Sequence, residues 1–314
     1  MKTRILLALL AVYIAWGSTY LAILYGVESI PPFLLAGTRF LIAGSIVYIW
    51  RRLAGDPVPS RVQWRSAGVI GLLLLVGGNG GVTWAEQHVP SGIAALLVAA
   101  VPLWMVVLDA LRPGGNRPNW QTGLGVLVGL AGIGILVGPS EWSGNHLNLD
   151  SLGVAVLLLA ALSWAIGSLY SRGADLPSSA LLGTGMEMLA GSAGLFLMAT
   201  VTGEWSRLDL AAVTPRSLGG LAYLIVFGSL VGFVAYTWLL RVAPTPLVAT
   251  YAYVNPLIAV LLGSLFAQEA FTPRLLLAAA VIVSAVVLIN YGRVKSSQPV
   301  PSKRLAFAPT SGED

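Results

Sequence analysis

Ten runs of about 20 mostly apolar residues, parted by short breaks rich in Pro, Gly and charge, make up almost the whole chain. A run of that length matches the roughly 30 Å hydrocarbon core of a bilayer. Inside lipid every backbone N–H and C=O must find a partner within the protein, which leaves α-helices or a closed barrel. Runs of this length read as membrane-spanning helices, so the expected class is all-α membrane protein. Composition agrees: 56% of the 314 residues are hydrophobic and 10% charged, against roughly 25% charged in soluble domains. The expected spans are 5–25, 32–50, 66–85, 91–110, 119–138, 151–171, 180–202, 217–240, 246–267 and 273–291. The first begins after Lys2 and Arg4 like a signal peptide. Its apolar stretch outruns a secretory h-region of about 7–15 residues, so it is read as a retained helix. The Gly77-Gly78-Asn79-Gly80-Gly81 stretch marks the third span as a weak helix.

Several function classes fall away on composition. The chain has no cysteine and two histidines, His88 and His146, so no metal site and no cofactor is expected. Basic residues lie scattered between apolar runs instead of lining one face, which argues against nucleic acid as a partner. No G-x-x-x-x-G-K-[ST] sequence is present, so the chain carries no phosphate-binding loop for ATP-driven pumping. An intramembrane hydrolase would need Ser18 or Ser168 to meet His88 or His146, whose expected depths differ by several helical turns. No enzymatic activity is expected.

Charge sets the orientation. With the N-terminus inside, the inner loops and tails hold Lys2, Arg4, Arg51, Arg52, Arg61, Arg65, Arg112, Arg117, Arg172, Arg241, Arg293, Lys295, Lys303 and Arg304, against Arg207, Arg216 and Arg274 outside. Basic residues favour the cytoplasmic side, so both termini are expected there. The segment 293–314 reads as a disordered cytoplasmic tail.

The chain also repeats itself. AWGSTY (15–20) matches AIGSLY (165–170), and LLAGTRFLIAGS (34–45) aligns with LLGTGMEMLAGS (181–192). VTWAEQHVPSG (82–92) aligns with YTWLLRVAPTP (236–246), and AAVPLWMVVL (99–108) with YVNPLIAVLL (253–262). Two halves, 1–145 and 146–292, then contain five spans each. An odd number of spans sends the second half into the membrane from the opposite side, the inverted arrangement of secondary transporters around a central cavity. Pro102 and Pro256 are repeat partners. Each breaks its helix near mid-membrane, where an interruption is tolerated only in protein or beside a water-filled space.

Polar and aromatic residues near these breaks are the candidate lining of a small-molecule site, since ligand pockets combine apolar walls with a few polar contacts. They are Trp16, Ser18 and Tyr20 in the first span, Asn79 and Thr83 in the third, and Trp104 in the fourth. The sixth adds Trp164, Ser168 and Tyr170, the eighth Tyr236 and Trp238, and the ninth Tyr251, Tyr253 and Asn255. Packing or interfacial anchoring is the competing role for each. Two charges fall within spans: Arg39, expected to brace the bundle, and Glu187, expected either to carry a coupling proton or to serve as a hydrogen-bonded structural carboxylate. Glu86 and Glu269 fall near span ends, where solvation is expected. Gly125 and Gly129 form a GxxxG, with Ala280 and Ser284 at comparable positions in the tenth span; internal packing is expected there.

WGSTY, TRFLIAG with Arg39, and NPLIAVLLGSLFAQEAFTP, set in two five-span halves, resemble the EamA group of the drug/metabolite transporter superfamily from about residue 5 to 292. The resemblance implies ten helices, both termini inside, a central substrate cavity and a place in the bacterial inner membrane. It also implies export of amino acids or related metabolites by alternating access, with proton-coupled multidrug efflux and a non-transporting scaffold as alternatives. The partners it implies are a small-molecule substrate and membrane lipid, for a monomer or homodimer. The first half departs from the family pattern at Gly115-Asn116, where a Gly-Glu pair often stands.

Overall fold

In the computed structural model, residues 2–112, 118–137, 150–243, 245–248 and 250–296 are described. Gly115-Asn116, Arg117, His146, Lys303 and Arg304 lie outside them. The described chain is all-helical. Among the described residues nine helices are long and apolar enough to cross a membrane: α1 Lys2–Val27, α2 Pro32–Leu53, α3 Arg61–Ala85, α4 Ser91–Leu111, α5 Trp120–Val137, α6 Ser151–Ser171, α7 Ala180–Val201, α8 Pro215–Leu239 and, after α9, α10 Pro273–Gly292. The shorter α9, Tyr251–Phe266, is also apolar. The span expected at 246–267 is split: a four-residue helix, Thr245–Val248, precedes α9. Helical backbone beyond α10 continues to Ser296, so the segment expected to be a tail starts as helix. Leu6, Leu7, Leu127, Leu261 and Leu265 point outward, as lipid-facing surface requires.

Helix starts show how the sequence sets these boundaries. Ser60 accepts from the Gln63 N–H, and Gln63 returns the bond to complete a capping box on α3. Asp150, Ser179 and Thr214 cap α6, α7 and α8 in the same local way. Helices α2 and α4 follow Pro31 and Pro90, which offer no side-chain acceptor for the free N–H groups of the first turn. Both are capped from afar. The Glu204 carboxylate, fully buried, accepts from Phe33 N at 3.2 Å and Leu34 N at 2.9 Å. The Glu269 carboxylate accepts from Ser91 N at 2.6 Å and Gly92 N at 2.9 Å. Glu269 is therefore an anchor between α4 and the end of α9 instead of a solvated loop acid.

The spans pair across the two halves: α2 packs along α7, α5 along α10, and the first part of α4 along α9. The α1 helix packs on α8 and α9, and α6 packs on α3. Gly125 and Gly129 face inward, where an added Cβ would come 2.8 Å from Ile289 and 2.5 Å from Leu103. Ala280 and Ser284 point outward. In the loop after α2, side-chain hydrogen bonds from Arg51 and then Ser179 hold the Asp56 carboxyl below the usual carboxylate range.

Each remote cap supplies two charge-assisted bonds in a setting with little water. Glu204→Ala should lower unfolding stability by about 2–3 kcal/mol, read as a drop in thermal midpoint of the detergent-solubilised protein. Glu204→Gln, which keeps an acceptor, should lose about half as much.

Candidate functional site

Several helices depart from α geometry along their length. The α1 helix is interrupted at Ser18, between Lys2–Gly17 and Thr19–Val27. Ser18 Oγ donates back to Ile14 O at 2.5 Å, and Thr19 Oγ1 to Trp16 O at 2.6 Å. Such back-bonding bends helices. The α3 helix passes through π-helical turns over Leu72–Gly80, and α8 does the same over Leu224–Val231. The glycines that weaken the third span fall in or beside these wide turns. π-turns frequently mark functional sites because they offset hydrogen bonds within a helix.

Each π segment gives a carbonyl to a side chain from the other half. Trp16 Nε1–H donates to Gly228 O at 3.1 Å, and Ser163 Oγ–H donates to Leu73 O at 2.7 Å. Close contact is built in. An added Cβ on Gly232 would lie 2.4 Å from Trp16 Nε1, and one on Gly228 would lie 2.9 Å from the Arg39 guanidinium.

These contacts assemble an aromatic box. Trp16 meets Phe233, Tyr236 and Tyr251 with ring centroids 5.4, 5.0 and 5.1 Å apart, and Tyr236 lies 5.6 Å from Tyr251. Ser18 Oγ and the Tyr223 hydroxyl are 2.7 Å apart, and the Tyr13 hydroxyl bonds Thr250 at the break before α9. Tyr20 is within electrostatic reach of Tyr251. Beside the box, Gly17 closes on Ile258 and on the Asn255 carbonyl.

Pro102 and Pro256 are both buried, but neither interrupts a helix midway. Pro102 is the second residue of the half-helix Val101–Leu111, after a break at Ala99-Ala100. At that position its missing N–H has no intrahelical role. Pro256 is the sixth residue of α9, so the discontinuity lies upstream, before Tyr251. The polar atoms beside these prolines are incompletely satisfied: Asn255 Oδ1 and Trp104 Nε1 are buried without a hydrogen-bond partner.

The other candidates are dispersed. Thr83 Oγ1 donates to Asn79 O at 2.8 Å within α3, and Trp164 packs against Gly78. Ser168 and Tyr253 are half-buried. Tyr170 and Trp238 turn outward, with 44% and 36% of their surface exposed. Arg39 is buried, its Nε–H donating to Ser229 Oγ at 2.8 Å and its guanidinium carbon 4.7 Å from the Phe40 ring centre. Glu187 is half-buried in α7, where its backbone carbonyl faces Gly71. Elsewhere, a cavity of about 570 Å³ opens among Val62, Ser66, Arg112, Tyr170 and Arg172. Tyr223, Phe233, Ser229 and Ser163 join the site without having been singled out by their sequence context. Among the described residues no group of His, Asp and Glu is arranged to hold a metal.

A bundle of apolar helices broken and widened at depth, with polar side chains gathered at the breaks, is the build of a membrane transporter. The EamA-like transporter family matches residues 3–138 and 151–291. The chain belongs to that family and is an integral inner membrane protein. It is 42% identical over 289 residues to the inner membrane transporter YedA of Escherichia coli strain K12, covering 91% of this chain and 90% of that protein. It is 26% identical to the chloroplastic WAT1-related protein At3g02690 of Arabidopsis thaliana, covering 90% of this chain and 68% of that one. A solved crystal structure at 22% identity shares the fold with a TM-score of 0.62, over 91% of this chain and 97% of the other.

The Arg39–Ser229 contact ties α2 to the π segment of α8. Ser229→Ala should cost about 1–3 kcal/mol by stripping a buried guanidinium of a partner. Adding Arg39→Met should recover part of the loss, because removing a buried charge together with its partner is often close to neutral. Thermal unfolding of the two single variants and the double variant gives the coupling.

Proposed function

We propose that this carrier exports small amphipathic metabolites, such as amino acids, by alternating access between two inverted five-helix halves. The observation that carries the reading is the aromatic box of Trp16, Phe233, Tyr236 and Tyr251, set beside a broken α1, a π-turned α8 and the unpartnered Asn255 Oδ1. Aromatic walls suit an apolar side chain or a cationic amine. An orphaned amide oxygen at the same place can accept from an ammonium or amide of a substrate. The exchanged contacts between halves, α1 onto the α8 π segment and α6 onto that of α3, support two units related by an in-plane two-fold axis. In this reading the π turns and the breaks before Tyr251 and Val101 are the hinges on which the halves rock. Outward movement is our inference from the family resemblance, with the gradient of the substrate or of an ion as the driving force.

Binding stabilises the folded protein by mass action, by about 2.7 kcal/mol at a ligand concentration 100 times Kd. A panel of amino acids, amines and related metabolites should therefore contain compounds that raise the thermal midpoint of the purified protein. Trp16→Ala and Tyr251→Ala should weaken that response by about tenfold in apparent Kd, the loss expected for one aromatic contact. Tyr170→Ala should leave it intact. Equal responses from all three variants would put the substrate elsewhere.

A further inference from the structure

At the ends of the spans opposite the N-terminus, Glu86 closes α3 and is 98% buried (2% exposed). Its carboxyl oxygens make no hydrogen bond of ordinary geometry, and the Leu24 backbone of α1 is the polar group within reach of them. Among the described residues no Lys, Arg or His forms an ion pair with it. The groups that face it make its ionised form harder to hold. Glu269, from the segment after α9, lies within electrostatic reach and is itself a carboxylate engaged by the Ser91 and Gly92 N–H groups. Tyr20, from α1, is the other titratable neighbour. His88, two residues on, is exposed and packs on the Trp84 ring. Ser91 Oγ, beside the Glu269 carboxylate, is buried without a partner as well.

A carboxylate taken out of water needs a counter-charge or strong donors. Glu269 has two N–H donors at a helix start, where negative charge is favoured. Glu86 has neither. The arrangement therefore singles out Glu86 as the acid that holds a proton. Tyr20 stands between Glu86 and the aromatic box, within electrostatic reach of Glu86 on one side and of Tyr251 on the other. Tyr251 in turn packs on Trp16 and Tyr236.

We propose that Glu86 is a proton-binding site of this carrier, occupied in the conformation seen here and released to water when α1 and α3 part. Tyr20 links it to the aromatic box. The assignment rests on the transport reading for its purpose, but the proton itself can be tested without a substrate. The assignment falls on Glu86 because its carboxyl is enclosed and without a counter-charge; the half-buried Glu187 of α7 serves as the comparison.

The direct test is infrared titration of the full-length protein in lipid, from about pH 6 to pH 9, where ordinary carboxylates are fully ionised. The parent should show a protonated carboxyl band at neutral pH. A component of that band should be lost in Glu86→Gln, which mimics the protonated shape, and kept in Glu187→Gln. A band unchanged in Glu86→Gln, or lost only in Glu187→Gln, overturns the proposal. The second arm uses a panel compound that binds the parent. In proteoliposomes, Glu86→Gln should keep exchange of that compound at the parental rate. Its pH-gradient-driven accumulation should fall to the level of the no-gradient control. Persistent gradient-driven accumulation in Glu86→Gln, or accumulation driven by a sodium gradient in place of a pH gradient, contradicts the assignment. If no compound moves in the parent, it is the carrier reading that fails, and the infrared band still decides whether Glu86 holds a proton.

Discussion

A backbone carbonyl or amide without a partner costs several kcal/mol in hydrocarbon, and the rest of this structure follows from how that cost is met. Regular helix meets it along most of each span. Where helix fails, a partner is brought from another part of the chain. The Trp16 indole serves the π segment of α8, the Ser163 hydroxyl serves that of α3, and the carboxylates of Glu204 and Glu269 serve the proline-led starts of α2 and α4. All four are contacts between the two halves of the sequence. The defects that a lipid-embedded helix cannot carry alone are thus what join one half to the other.

That coupling bears on movement. A helix satisfied by its own ladder can slide or tilt without exposing polar atoms, but a break satisfied in trans changes partner when its neighbour moves. The clustering of such breaks around Trp16, Gly228 and Tyr251 makes this the region where two arrangements of the bundle would differ most. The remote caps lie at one end of the spans, with α2 and α4 held through their first N–H groups. They fix that end in the conformation seen here.

Much of the fold could be read from the sequence, because length and hydropathy respond to one strong constraint, the bilayer. Nine of the ten expected spans have counterparts among the long apolar helices, and the glycine-rich weakness at residues 77–81 falls where α3 takes π turns. The ninth span was harder. Residues 246–267 are apolar throughout, so hydropathy could not show that helix begins afresh at Tyr251. The same limit applied to the acids. Glu86 and Glu269 sit near helix ends, where solvation is the ordinary expectation, and only the packing of α1, α4 and α9 around them shows one enclosed and the other bonded to two N–H groups. Of the site, Trp16, Tyr236 and Tyr251 were candidates from the sequence, with packing or interfacial anchoring as the competing role. Phe233 and Ser229 were not, because π turns rotate the face of α8 by an amount that a 3.6-residue period does not anticipate.

The central claim is that water reaches the junction of α1, α8 and α9 within the membrane. The chain has no cysteine, so single thiols can be introduced without background and probed with a water-soluble maleimide, which reacts with thiolate and hence only where water is present. Cysteine at Tyr251 or Asn255 should be labelled, and cysteine at the outward-facing Leu261 should not. Inert thiols at both 251 and 255, in protein that is folded and inserted, would contradict the account.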